Sequence, residues 1–281
     1  MTERGTGAVS LTAWLIVCYA FLYAPIAFLI AFSFNDSRLV TAWSGLSTRW
    51  YVALWHDREM IDATLLSLRI ATVSACIACL VGGTAGFALA RFGRFRLRGL
   101  FDAALAVPLV MPEVITGLSL LLLFVTLEQL TGWPAGRGAG TVTLAHASVS
   151  VAYVAVVVRS RLADVGVALE QAAMDLYAPP WKAFLAITLP LMAPALVSGW
   201  LLAFTLSMDD VVVASFTSGP GASTLPMVVF SATRLGVTPE IYALATAIVA
   251  VVATGLLSVA VWGRRRSRAS PRAPVYLNLE G

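Results

Sequence analysis

Six apolar stretches, each long enough to cross a hydrocarbon layer as a helix, dominate this sequence and leave few folds open to it. They run Leu11–Phe34, Ala63–Ala90, Phe101–Leu127, Thr141–Val158, Ala193–Phe216 and Ile241–Trp262, where a bilayer core asks for about 20 residues of helix. The first is too long for the apolar region of a secretory signal, and no small-residue cleavage site follows it before Asn35, so it reads as a retained helix. Composition agrees. Apolar residues make up 59% of the chain and charged residues 12%, against about 25% charged in soluble domains, and mean hydropathy is +0.85. So little charge cannot keep a folded surface wetted. The expected class is an all-α multi-pass membrane protein. A disordered chain, a nucleic-acid-binding domain and an ordinary cytosolic enzyme are excluded together.

Orientation follows from the positions of the basic residues. An even number of spans puts both termini on one side. That side receives Arg4, the arginines at 91–98 and 159–161, Lys182 and the arginines at 264–272, which is thirteen of the nineteen basic residues. The other side receives Arg38, Arg49, Arg58, Arg137 and Arg234. Both termini are therefore expected in the cytoplasm. Arg69, near the outer end of the second span, reads as a side chain snorkelling to the interface.

Three loops are long. Asn35–Asp62 is external and carries Trp43, Trp50, Tyr51 and Trp55, residues suited to an interfacial belt. Ser218–Glu240 is external and opens on the turn-forming run Ser218-Gly219-Pro220-Gly221. Arg159–Met192 is cytoplasmic and long for a connection between two spans. The expected organisation is a tail over 1–10, a first span and external loop over 11–62, a core over 63–262 with its cytoplasmic loop at 159–192, and a basic tail over 263–281. From Arg264 that tail is polar and expected to be surface-associated or disordered.

Transport needs an energy source, so what the chain lacks is informative. Its one lysine, Lys182, precedes Ala183, so no phosphate-binding Gly-rich loop with the Lys-Ser/Thr pair is present. Histidines are only His56 and His146, and no His, Cys and carboxylate group has metal-ligand spacing. Cys76-x-x-Cys79 has a redox spacing but lies in an apolar helix, where small packing residues are the plainer reading. Gly82 and Gly86 form a small-xxx-small pair of the kind that lets helices approach closely. No cofactor is expected, and no catalytic constellation.

Ionisable side chains inside a span are costly and therefore point to function. Glu113 lies in the third stretch, twelve residues after Phe101 and about 18 Å along it. That places it near the bilayer midplane, beside Pro108 and Pro112, which loosen the helix. Asp209 and Asp210 lie in the outer half of the fifth stretch, and adjacent carboxylates repel unless a cation or partner neutralises them. Two readings stand at this point. The three acids line a path for a cationic substrate, or they serve as helix caps and buried partners of arginine. Of the adjacent pair, Asp210 is the better candidate for the structural role, since two neighbours cannot both face one groove.

The cytoplasmic loop carries Glu170-Gln171-Ala172-Ala173-Met174-Asp175-Leu176-Tyr177, then Ile187 and Leu189-Pro190. A short amphipathic helix here would lie on the membrane surface or dock into a groove of a soluble partner. The loop resembles the signature of permease subunits of binding-protein-dependent ABC importers. That signature is Glu-Ala-Ala, three residues, Gly, nine residues, Ile, one residue, Leu-Pro. Here the frame falls on Gln171-Ala172-Ala173, Tyr177, Ile187 and Leu189-Pro190. Two positions depart from it. Gln171 stands for Glu, with Glu170 beside it, and Tyr177 stands for Gly. If that position needs φ > 0, a Tyr costs about 1–2 kcal/mol there.

Further stretches resemble the polyamine branch of these importers, and most of all the second permease subunits of putrescine systems. They are Phe34-Asn35-Asp36-Ser37 with Leu39-Val40-Thr41-Ala42-Trp43, Pro108 to Ser119, Gly132-Trp133-Pro134-Ala135, and Ser207-Met208-Asp209-Asp210 with Ser218 to Gly221. The resemblance implies a type I importer permease fold of six spans in a bacterial inner membrane. It implies as partners a second homologous permease, a dimer of cytoplasmic ATPase subunits and a periplasmic polyamine-binding protein. It also implies that Glu170, Gln171, Ala172, Ala173, Asp175, Tyr177, Ile187, Leu189 and Pro190 contact the ATPase. Glu113, Asp209 and Asp210 would then line a path for a polyamine, putrescine before spermidine or another small cation. A stand-alone secondary transporter is the more distant alternative, since it leaves the loop spacing unexplained.

Overall fold

The computed structural model describes residues 3–39, 42–93, 95–236 and 238–269. Val40, Thr41, Arg94, Arg272 and the rest of the tail beyond Ala269 lie outside the described residues. In chain order the helices are α1 (Glu3–Ser33), α2 (Arg49–His56), α3 (Arg58–Arg91), α4 (Arg98–Val110), α5 (Glu113–Thr131), α6 (Ala139–Val165), α7 (Ala168–Asp175) and α8 (Pro180–Ala183). A π-helical turn (Phe184–Thr188) then leads into α9 (Leu189–Asp209), α10 (Val212–Thr217), α11 (Leu225–Leu235) and α12 (Pro239–Ala269). Among the described residues the only β pairing is an isolated bridge between Asn35 and Leu46.

Five segments are long and apolar enough to span a membrane: Leu11–Ser33, Arg58–Arg91, Glu113–Thr131, Ala139–Val165 and Pro180–Asp209. The shorter apolar segment Pro239–Gly255 heads α12. These correspond to the six expected stretches, with two differences that matter.

The third stretch, expected as one helix over Phe101–Leu127, is two helices broken at Met111–Pro112. Proline forces the residue before it into extended backbone, and Met111 adopts ψ 139°. Pro112 has no N–H to continue the ladder. Its carbonyl instead accepts the N–H groups of Ile115 and Thr116 at 3.0 and 3.2 Å and so starts α5. Pro108 stays inside α4.

The fifth stretch, expected over Ala193–Phe216, breaks at Asp210, whose backbone is extended with ψ 122°. The Asp210 carboxylate accepts the N–H groups of Val213 at 3.0 Å and Ala214 at 3.1 Å, offering the chain a fresh helix start in place of a continued ladder. At the C-terminal end, α12 runs on to Ala269, so 264–269 are helical where a polar tail is expected from Arg264.

Two compact units emerge, one from Met1–Asp57 with Leu235–Gly281 and the other from Arg58–Arg234. In the first, α12 packs with α1 and α2. The external loop there is pinned by buried Asn35. Its carbonyl accepts the Trp50 Nε1–H at 2.8 Å, and its amide donates to Ala42 O at 2.7 Å. Trp43 and Trp55 remain exposed, as an interfacial belt requires.

In the second unit α3, α6 and α9 pack on one another. Small residues recur along the packed face of α3, and Ala71, Ala75 and Ala78 are fully buried. A Cβ on Gly82 would lie 2.6 Å from Val151 O, and one on Gly86 would lie 2.6 Å from Ala155 O. The small-xxx-small pair thus brings the α3 and α6 backbones together. Val154, Val158, Leu162 and Met192 fill the core beside it.

Candidate functional site

Both helix breaks open onto one cavity of about 510 Å³ in the second unit, within the roughly 300–1,000 Å³ of small-molecule sites. Its wall takes Pro108, Leu109 and Met111 from the end of α4, and Glu113 and Thr116 from the start of α5. His146, Ser150 and Tyr153 come from α6, and Ser207, Asp209 and Asp210 from the end of α9 and the break after it. The structure therefore brings together all three acids that stand out in the sequence. Glu113 does not sit mid-helix, as expected, but in the first turn of α5.

The electrostatics of this arrangement favour a cation. A helix carries about half a positive charge at its N-terminus and half a negative charge at its C-terminus. The positive ends of α5 and α10 are each met by an acid, Glu113 and Asp210. The negative ends of α4 and α9 add to the field of the carboxylates. Among the described residues neither Glu113 nor Asp209 has an ion-pair partner, and both are exposed in the single chain.

Asp210 is placed differently. Besides the two α10 N–H groups, its Oδ2 lies 2.8 Å from His146 Nε2. That contact is close but lacks the alignment of a hydrogen bond. His146 Nδ1 sits 2.6 Å from Ser207 Oγ, and both side chains are buried. From the sequence, His146 enters only through metal-ligand spacing and Ser207 only through the resemblance, and Tyr153 does not enter at all. For His146 the signal was available, since an imidazole inside a span is as conspicuous as a carboxylate.

The loop over 159–192 holds a second cluster of contacts. Arg91, at the end of α3, donates from Nε to both Glu170 carboxylate oxygens at 2.9 Å. Its Nη1 donates to Leu162 O at 2.9 Å and its Nη2 to Gly166 O at 2.6 Å. Thr188 Oγ1 donates to Glu170 Oε1 at 2.8 Å. Glu170 thus ties α7 to the ends of α3 and α6 and to the π-turn, while Gln171 and Ala172 face outward. Glu170 and Gln171 are not interchangeable.

Helix α7 ends in a pair of bonds that define a Schellman cap. Ala178 N–H donates to Ala173 O at 3.1 Å, and Tyr177 N–H donates to Met174 O at 2.9 Å. Tyr177 holds φ +61° there, the conformation in which glycine is usual. Its side chain is 97% exposed, beside exposed Leu169, Met174, Leu176 and Trp181. Asp175, Leu189 and Pro190 are also exposed, whereas Ile187 is half-buried.

Residues 78–268 match the family of binding-protein-dependent transport system inner membrane components. The chain is 55% identical over 248 residues to the putrescine transport system permease protein PotI of Escherichia coli (strain K12), covering 88% of each. It is 39% identical over 246 residues to the spermidine/putrescine transport system permease protein PotC of the same strain, covering 85% of this chain and 90% of that protein. Among solved structures it superposes on a chain of a bacterial ABC transporter involved in the import of the acidic polysaccharide alginate. There the TM-score is 0.70 and the identity 14%, over 94% of this chain and 98% of the other, a likeness of fold.

Proposed function

Since the chain belongs to the family of inner-membrane components of binding-protein-dependent transport systems, we propose that it is the permease subunit of a putrescine importer. In this reading Glu113 and Asp209 meet the two ammonium groups of the cargo. The chain is a multi-pass inner-membrane permease subunit and not an enzyme. Its family works with a second permease, ATPase subunits and a substrate-binding protein. For this chain we read the partners as a homologous permease, a cytoplasmic ATPase dimer and a periplasmic polyamine-binding protein.

The observation that carries the cargo assignment is the shared cavity. Two separately broken helices deliver Glu113 and Asp209, without ion-pair partners among the described residues, to one space. A desolvated diammonium needs compensating acids, and two acids on different helices suit amines at the two ends of a short chain. The likeness to the putrescine permease supports the same cargo. The likeness to the spermidine/putrescine permease keeps a longer polyamine as the second reading.

At the cytoplasmic face the exposed knob of α7 and its cap is the surface we assign to the ATPase, as a helix seated in a groove. Leu176, Tyr177 and Trp181 supply apolar anchors, and Gln171, Ala172, Ala173 and Asp175 the helix that carries them. Ile187, Leu189 and Pro190 carry the contact into α9.

The test is uptake of labelled putrescine in cells lacking the gene, with and without its restoration, competed by unlabelled spermidine. Restored uptake that putrescine blocks better than spermidine is expected. Uptake that survives deletion of the ATPase gene at full rate would sink the importer reading.

A further inference from the structure

His146 lines the cavity but has no part in the proposed path, and its surroundings give it a task. It is 4% exposed, sits on α6, and bridges from Ser207 Oγ at 2.6 Å to Asp210 Oδ2 at 2.8 Å. Its Nε2 is buried with no well-aligned hydrogen-bond partner. The polar groups that line the cavity with it are Ser207, Asp209 and Asp210 at the end of α9, Glu113 and Thr116 from α5, and Ser150 and Tyr153 on α6 itself; α4 contributes only apolar residues to the cavity wall.

Asp210 Oδ1 accepts the Val213 N–H and Oδ2 the Ala214 N–H, and the imidazole closes over Oδ2 on its cavity side as a charge contact at 2.8 Å. Asp209 and Glu113 have no ion-pair partner among the described residues. We infer that His146 is a specificity-determining residue: by holding Asp210 against α10, it limits the cavity to two carboxylates available to cargo and so favours cargo with two cationic ends over cargo with three or four. This rests on the reading of the cavity as the cation path.

The physics is a matching of charges in a site poor in water. A third ammonium entering a cavity with two available acids is desolvated without a counter-charge, which is costly. Releasing Asp210 would supply that counter-charge. Adjacent carboxylates at 209 and 210 would then repel until a polycation neutralised them, so release should favour the longer amine specifically.

The experiment measures the ratio of spermidine to putrescine concentrations that halve labelled putrescine uptake, in cells carrying the full transporter. His146→Leu should shift that ratio toward spermidine by roughly tenfold, the scale of one charged contact. His146→Phe serves the same purpose should the leucine variant fail to reach the membrane. Adding Asp210→Asn to either variant removes the released carboxylate while leaving a carbonyl oxygen for the cap, and should return the ratio to the wild-type value. A merely structural loss would lower uptake of both amines and leave the ratio alone. An unchanged ratio in both His146 variants, or a shifted ratio that Asp210→Asn does not reverse, overturns the inference while wild-type putrescine uptake still stands. Loss of polyamine uptake as the wild-type activity overturns the path reading and this inference with it.

Discussion

Tyr177 occupies a backbone position that glycine takes without strain, and it does so with its ring almost wholly in solvent. Burial cannot explain a tyrosine there, since nothing among the described residues covers it. Its retention of a left-handed conformation costs about 1–2 kcal/mol. Tyr177→Gly should leave the cap bonds to Ala173 and Met174 in place and hold or raise cargo-stimulated ATP hydrolysis in the assembled transporter. A clear loss of that hydrolysis would show that the tyrosine ring itself grips the ATPase. In the cavity, Asp209→Asn and Glu113→Gln should each lower putrescine uptake about tenfold or more, the scale of a lost charged contact. Complex assembly, followed by co-purification, should be unchanged. The acids were legible in the sequence because charge in an apolar run is conspicuous. The same rule covers His146, but its coupling to Asp210 depends on a chain reversal that no local pattern reveals.

At the scale of helices, hydropathy located every span and missed both breaks. The average of an apolar window is the same whether the backbone within it is continuous or not. Only local chemistry separates the cases, and here it is uneven. Pro108 is accommodated inside α4 while Pro112, four residues on, ends it. The difference is that Pro112 starts α5 by accepting two N–H groups. Pro112→Leu removes an obstacle to a continuous helix worth about 3 kcal/mol. It should lower putrescine uptake without lowering the amount of protein in the membrane. The α3–α6 contact was legible from its glycines, because close approach leaves a composition trace. Gly82→Val would press a side chain onto Val151 O and Val154. Such overpacking costs about 1–3 kcal/mol or more, read as a lower melting temperature of the purified transporter in detergent.

For the molecule as a whole, the family is written in the spacing of the cytoplasmic loop, but the ties that make that loop rigid are not. Arg91 and Glu170 are 79 residues apart in the chain and meet only once α3, α6 and α7 are assembled. Removing the acid strands a buried guanidinium, a change worth about 3–5 kcal/mol in comparable pairs. Glu170→Ala should raise protease sensitivity across 166–178 and uncouple ATP hydrolysis from cargo, whereas Gln171→Ala, on the outward face, should leave protease resistance intact. Thr188 is the third member of that tie, and its place along the helix has a mechanical consequence. Pro180–Asp209 is one helical segment of 30 residues that passes through the π-turn, about 45 Å long at α-helical rise. The tie holds it about 12 Å from its cytoplasmic end and about 31 Å from Asp209. With Thr188 as fulcrum the arms are unequal by about 2.6 to one, so a 2 Å push at the Pro180 end would swing the Asp209 end through about 5 Å. In the proposed reading that travel would exceed the reach of an ammonium–carboxylate contact, so one short stroke would suffice to grasp or release a cation.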